Sequence, residues 1–163
     1  MKNYIVYISL FLSCLGSSQE TISELLKAYN TESVPYIFAE ELAMPKTEAI
    51  LLDAREPKEY EISHLKDAIN VGYDLFNIET LTEKIPDKSA KIIVYCSLGV
   101  RSEDVAEQLK NKGYTNVYNL FGGIFEWKNK NFDVYNAEGK TEDVHAFSKD
   151  WSQWLLKGNK RYD

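Results

Sequence analysis

The sequence predicts an α/β domain of three layers, a central and mostly parallel sheet between helices, with one further helix added at the C-terminus. Two observations carry that prediction. Short apolar, β-branched runs alternate with stretches whose apolar residues fall at helical spacing, a pattern that belongs to parallel sheets covered on both faces. The chain has 163 residues, 44% of them hydrophobic, enough for one core and too few for a second catalytic domain.

Residues 1–17 read as an export signal. Lys2 supplies a cationic start, Tyr4 to Leu12 an apolar run too brief to span a bilayer, and Ser13, Cys14, Gly16, Ser17 and Ser18 the small residues that follow. Cleavage near Gly16 or Ser17 is one outcome; a lipid anchor on Cys14, with the signal ending before it, is the other; an ordinary buried N-terminal strand or helix is the structural alternative. Export places the protein in the periplasm or lipid-anchored at the cell envelope, with no membrane span. It also removes Cys14 from the folded domain and leaves Cys96 unpaired.

The elements then follow in order. Ile22, Leu25, Leu26 and Tyr29 predict a helix within Thr21–Asn30, and Val34 to Ala39 reads as extended. Ala49 to Leu52 is a buried strand ending at Asp53-Ala54-Arg55-Glu56-Pro57, where the proline suits the first turn of a helix carrying Glu59 and Tyr60. Ala68 to Val71 is a short strand, and Thr80 to Ile85 a helix that stops at Pro86. Lys91 to Tyr95 is the next strand, the helix after Arg101 shows Val105, Ala106 and Leu109 on one face, and Asn116 to Leu120 is the last strand, before Phe121-Gly122-Gly123. The glycine pair reads as a tight turn or a close backbone approach. Residues 131–163 are a polar connector, Asn131 to Lys140, and then a docking helix with Val144, Phe147, Trp151, Trp154 and Leu155 on one side, ending at Gly158.

The formal charge of −6 offers no broad basic face, so nucleic acid is not an expected partner. Any anion must be captured locally. The place for that is Cys96-Ser97-Leu98-Gly99-Val100-Arg101-Ser102, where strand, short loop and helix start meet at a lone thiol. Backbone N–H groups and the positive end of a helix converge on such a loop, which favours bound anions and depresses a thiol pKa from about 8.5 toward roughly 3.5–7.5. Cys96 is therefore the candidate nucleophile and Arg101, with its planar fork of donors, the candidate anion ligand. Asp53 and Arg55, at a strand's C-terminal end, are second-tier candidates with a helix-capping ion pair as the simpler role. Glu59 and His64 read as local packing and hydrogen-bonding groups, and His145 as a satisfied packing or surface residue. No His, Cys or carboxylate cluster has metal-ligand spacing, and no glycine fingerprint for phosphates occurs, so neither metal nor cofactor is expected.

Taken together, Asp53-Ala54-Arg55, Glu59-Tyr60 with His64-Leu65, Ala68-Ile69-Asn70-Val71, the loop from Cys96 to Ser102, and Gly122-Gly123 with Trp127 resemble the rhodanese-like sulfurtransferases over about Val34 to Trp127. The sequence departs from that pattern at Ser63, where the family often has glycine before histidine, and at Lys66-Asp67, which replaces a common Pro-Gly; both put the turn there in question. The resemblance implies a rhodanese-like domain over 21–130 and a ping-pong reaction. Cys96 would take the outer sulfur of a small anionic donor such as thiosulfate, carry it as a persulfide, and pass it to a thiol or cyanide acceptor. Ser97, Leu98, Gly99, Val100 and Ser102 would line the substrate site with Arg101. Four residues separate Cys96 from Arg101, whereas the related cysteine phosphatases use five, so the resemblance favours sulfur over phosphate chemistry. The alternative is a binding or persulfide-sensing module without turnover.

Overall fold

The computed structural model describes residues 21–162; the expected export signal and Cys14 lie outside them. Helix α1 (Ile22–Tyr29) starts at a reciprocal cap in which Thr21 and Glu24 bond each other's backbone N–H, the arrangement that satisfies otherwise orphaned donors. There follow β1 (Tyr36–Ile37), α2 (Ala39–Leu42), β2 (Ile50–Asp53), α3 (Pro57–Ile62), β3 (Ile69–Asn70), α4 (Ile78–Lys84), β4 (Ile92–Tyr95), α5 (Arg101–Asn111), β5 (Val117–Leu120) and α6 (Gly123–Asn129). Asn77 caps α4, so that helix begins two residues before the expected Thr80.

The five strands form one sheet in the order β1-β5-β4-β2-β3, every pair parallel. This is the predicted α/β architecture. Strand β4 lies at its centre, Ile93 opposite Leu51 on one side and Tyr118 on the other. Its residues are buried on both faces, which is why Ile92-Ile93-Val94-Tyr95 reads as a continuous apolar run rather than an alternation. Ile92 and Val94 pack with Leu81 of α4, with Ile85 just past its end, and with Val105, Ala106 and Leu109 of α5. Ile93 and Tyr95 face the other layer, with Leu25 and Leu26 of α1 and Ile124 and Phe125 of α6.

The turn around the sequence departures closes normally. Ser63 is extended (φ −171°), which any residue adopts, and Asp67 takes φ +60°, a left-handed position that aspartate tolerates better than most residues.

The C-terminal region differs from expectation. The polar connector is a hairpin, β6 (Val134–Asn136) with β7 (Gly139–Thr141), and Tyr135 exchanges backbone hydrogen bonds with His64. The docking helix does not form. Residues 143–145 are strand β8, paired in parallel with β9 (Asn159–Arg161), and only Trp151–Trp154 is helical, as one 3-10 turn. Phe147 at φ +63° is incompatible with a right-handed helix, so the chain breaks there. Val144, Trp154 and Leu155 are nevertheless buried on the α1/α6 face. The helical spacing identified residues that dock and misread the path between them.

Candidate active site

The site begins where β4 runs out at the C-terminal edge of the sheet, the edge where open parallel sheets bind ligands. Cys96 is the next residue, 2% exposed, and is a free thiol. Its loop is fixed from below by α6. Ile124 donates its N–H to the Cys96 carbonyl (2.9 Å) and Phe125 donates to that of Ser97 (3.1 Å). Gly123 makes this approach feasible: a Cβ there would lie 2.3 Å from the Cys96 carbonyl oxygen. The close backbone contact expected of the glycine pair is thus with the cysteine loop itself.

From the side, Asn119 of β5 holds the loop by donating to the Gly99 carbonyl (2.8 Å) and accepting from Ser102 Oγ (2.8 Å), while Asn30 donates to the same carbonyl (2.9 Å). With its carbonyl so occupied, Gly99 points its N–H at Cys96 Sγ (3.1 Å) from a backbone at φ +111° that suits glycine. Ser102 Oγ stands 3.5 Å from the same sulfur, and its single proton serves Sγ or Asn119 at any moment. No side chain caps α5, so its positive N-terminal end opens at the loop. The arrangement can stabilise charge on sulfur.

Arg101 is committed elsewhere than the sequence alone implies. Its two terminal nitrogens donate to Glu59 of α3 at 2.8 and 2.9 Å, and Nη2 also reaches Ser97 Oγ at 3.1 Å. Burial works against the charged guanidinium, but Glu59 and the Cys96 sulfur hold its pKa above the ordinary value. Burial likewise works to raise the Glu59 carboxyl, and Arg101, with Arg55 behind it, outweighs that and lowers it. Glu59 is therefore a site-positioning residue. Its position one turn into a proline-started helix carries no signal of this, because its partner lies 42 residues away.

Above the sulfur is a cavity of about 90 Å³ lined by Cys96, Ser97, Leu98, Val100 and Arg101, and by Phe147 and Trp151. Gly99 and Ser102 do not line it; they act on the sulfur from beneath. Phe147 lays its ring over the Arg101 guanidinium, 4.9 Å from its centroid, and meets Trp151 edge-on at 6.0 Å. His145, expected on a helix, is buried in β8 beside Glu59 (3.8 Å), and its Nδ1 accepts the Phe147 N–H at 3.1 Å. Burial holds the imidazole's pKa below the ordinary value.

Asp53 and Arg55 do not join this constellation. Both are wholly buried and paired, Nη2 to Oδ2 at 2.6 Å and Nε to Oδ1 at 2.9 Å, and Arg55 also donates to the Ser63 carbonyl. They form the ion pair weighed above and tie β2 to the end of α3, but the cap of that helix is Glu56. Among the described residues no group of three or more His, Cys, Asp or Glu is placed to hold a metal ion, and no helix is long and apolar enough to cross a membrane.

Comparison with known proteins agrees with this geometry. The chain is 34% identical over 110 residues to a tRNA uridine(34) hydroxylase of Hamiltonella defensa, covering 64% of this chain and 28% of that protein. It is 32% identical over 83 residues to the thiosulfate sulfurtransferase GlpE of Coxiella burnetii, covering 51% of this chain and 75% of that one. Among solved structures, a thiosulfate sulfurtransferase from Pseudomonas aeruginosa superposes with a TM-score of 0.59 at 27% identity, covering 80% of this chain and 25% of that one. The family model of the rhodanese-like domain matches residues 37–130. That span holds the whole parallel sheet but for one residue of β1, together with the cysteine loop and its Glu59 brace, and the chain belongs to the rhodanese-like domain family.

Proposed function

We propose that this protein is a sulfurtransferase in which Cys96 carries a sulfane sulfur from an anionic donor of the thiosulfate kind to a thiol or cyanide. The observation that supports this best is the free Cys96 thiol at the sheet edge, with the Gly99 N–H 3.1 Å from its sulfur and a small cavity above it. In the first half-reaction the Cys96 thiolate attacks the outer sulfur of thiosulfate, the S–S bond breaks, and sulfite leaves with its electron pair. A persulfide anion remains on Cys96, beside the Gly99 N–H and the uncapped start of α5. In the second, cyanide or a thiolate attacks the terminal sulfur and Cys96 departs as thiolate. No net oxidation occurs, and neither metal nor cofactor is required. The signal read in residues 1–17 extends the proposal to the cell envelope, which sequencing the mature N-terminus by mass spectrometry tests directly.

A second reading, a persulfide-holding module without turnover, draws on the pairing of Arg101 with Glu59, which neutralises the cation that lines the cavity. A thiosulfate-to-cyanide assay separates the two. The wild type should turn over and gain one sulfur on Cys96 by mass, and Cys96→Ser should do neither. Stoichiometric loading without turnover would favour the module, and equal inactivity of both proteins toward every sulfane donor would remove the sulfurtransferase reading.

A further inference from the structure

The segment beyond residue 130 lies outside the family match, yet it supplies two walls of the cavity over Cys96. We infer that Phe147 and Trp151 form a specificity wall that selects alkyl persulfides, R–S–SH, over sulfite-bearing donors. This rests on the sulfurtransferase reading, keeps its Cys96 relay, and puts an alkyl persulfide in place of thiosulfate as the preferred donor.

Three observations lead there. The cavity is narrow, about 90 Å³, and Leu98, Val100, Phe147 and Trp151 make most of its lining apolar. A dianion loses its hydration on entering such a space and needs a cation in return. Arg101, the only cation among the described residues of the lining, is balanced by Glu59 and covered by the Phe147 ring. The methylene and inner sulfur of an alkyl persulfide gain contact with those same walls.

Phe147 is also held in place at a cost. It sits at φ +63°, a conformation that residues with a side chain avoid. Three contacts keep it there: its N–H on His145 Nδ1 (3.1 Å), the Ala146 N–H on the Arg161 carbonyl (2.7 Å), and the Ser148 N–H on the Ala146 carbonyl (2.8 Å). Strain so firmly held, in a residue 46% exposed that adds little to the core, fits a residue placed for its contact with ligand. On its other side Phe147, with Arg101, borders a groove of about 310 Å³ that includes the charged side chains of Glu56, Lys58, Glu59 and Asp74. A donor with a slim sulfane end in the cavity and a body bearing both ammonium and carboxylate groups, to meet Glu56, Asp74 and Lys58 in the groove, fits the two spaces together.

The step balances. The Cys96 thiolate attacks the outer sulfur of R–S–SH, the donor's S–S bond breaks, and the departing R–S⁻ takes the proton. The products are R–SH and the persulfide anion on Cys96.

The test is the rate of sulfur loading onto Cys96 in the full chain, followed by rapid-quench mass spectrometry with glutathione persulfide and with thiosulfate. Wild type should load faster from the persulfide. Phe147→Gly, which removes the wall and suits the backbone conformation, should lower the persulfide-to-thiosulfate ratio about tenfold, the scale of discrimination by apolar contacts. Trp151→Ala should move the ratio the same way. Equal loss of both rates, as a purely structural role would give, would overturn the inference, as would faster loading of wild type by thiosulfate. If neither donor put sulfur on Cys96, the sulfurtransferase reading would fall with it.

Discussion

Glu59 holds Arg101 through two charge-assisted hydrogen bonds while itself only 2% exposed, so removing its charge leaves a half-buried guanidinium without a counter-ion. Glu59→Gln should cost about 1–3 kcal/mol at neutral pH, measured by urea unfolding. The pH dependence follows from the direction of the shift. The folded carboxyl titrates below its unfolded value of about 4.5, so its contribution is complete above that pH and disappears as pH falls through the lower folded value. The gap between wild type and variant should close in strong acid; a gap that persisted there would mean shape rather than charge was lost. His145 works at a higher pH. Burial lowers its pKa in the fold, so below about 6.5 the unfolded chain binds a proton more readily than the folded one; the contribution to stability is complete above that value and declines as pH falls below it. Glu59 partly offsets the penalty, and Lys58, Arg55 and Arg101 add to it. His145→Asn keeps an acceptor for the Phe147 N–H without titrating there, and its stability relative to wild type should rise between pH 6.5 and 5. Parallel profiles over that interval would contradict this account.

Helix α6 shows how one element can set the geometry of another. Its first N–H groups bind the Cys96 and Ser97 carbonyls, and Gly123 at φ +54° brings it close enough to do so. An added Cβ would meet the backbone at 2.3 and 2.7 Å, atoms that cannot swing aside as a side chain could. Gly123→Ala should therefore destabilise by about 2–4 kcal/mol, from overpacking and backbone strain together, and should slow sulfur loading of Cys96 beyond what partial unfolding explains. Wild-type stability in that variant would show that the helix can retreat without cost. Strand β5 contributes by a different route. Its Asn119 is fully buried in an otherwise apolar element, and that exception to the pattern was the available sign of its work on the cysteine loop.

For the molecule as a whole, the segment after residue 130 completes both the core and the site. Val134, Val144, Ala146, Trp154 and Leu155 are buried in the layer that also holds α1 and α6. Burying one large apolar side chain is worth about 1.5–3 kcal/mol, against a typical total stability of about 5–15 kcal/mol. A chain ended at Lys130 should lose cooperative folding at 37 °C, seen as the loss of near-ultraviolet circular dichroism. A sharp transition at the full-length midpoint would show that the segment is only an addition.

The sequence by itself determined what contiguous residues encode. The parallel α/β plan followed from alternating periodicities, the candidate nucleophile from a thiol between an apolar strand and an apolar-faced helix, and the family from ordered short motifs. Tertiary structure alone decided the rest. Glu59 meets Arg101, Phe147 covers its guanidinium, and His145 lies beside Glu59 only because α3, the start of α5 and β8 converge above one sheet edge. The C-terminal segment shows the reason most clearly. Apolar spacing records which side chains must leave water, and a helix or a strand, bend and 3-10 turn can satisfy it equally. The choice between those paths was made by what they pack against.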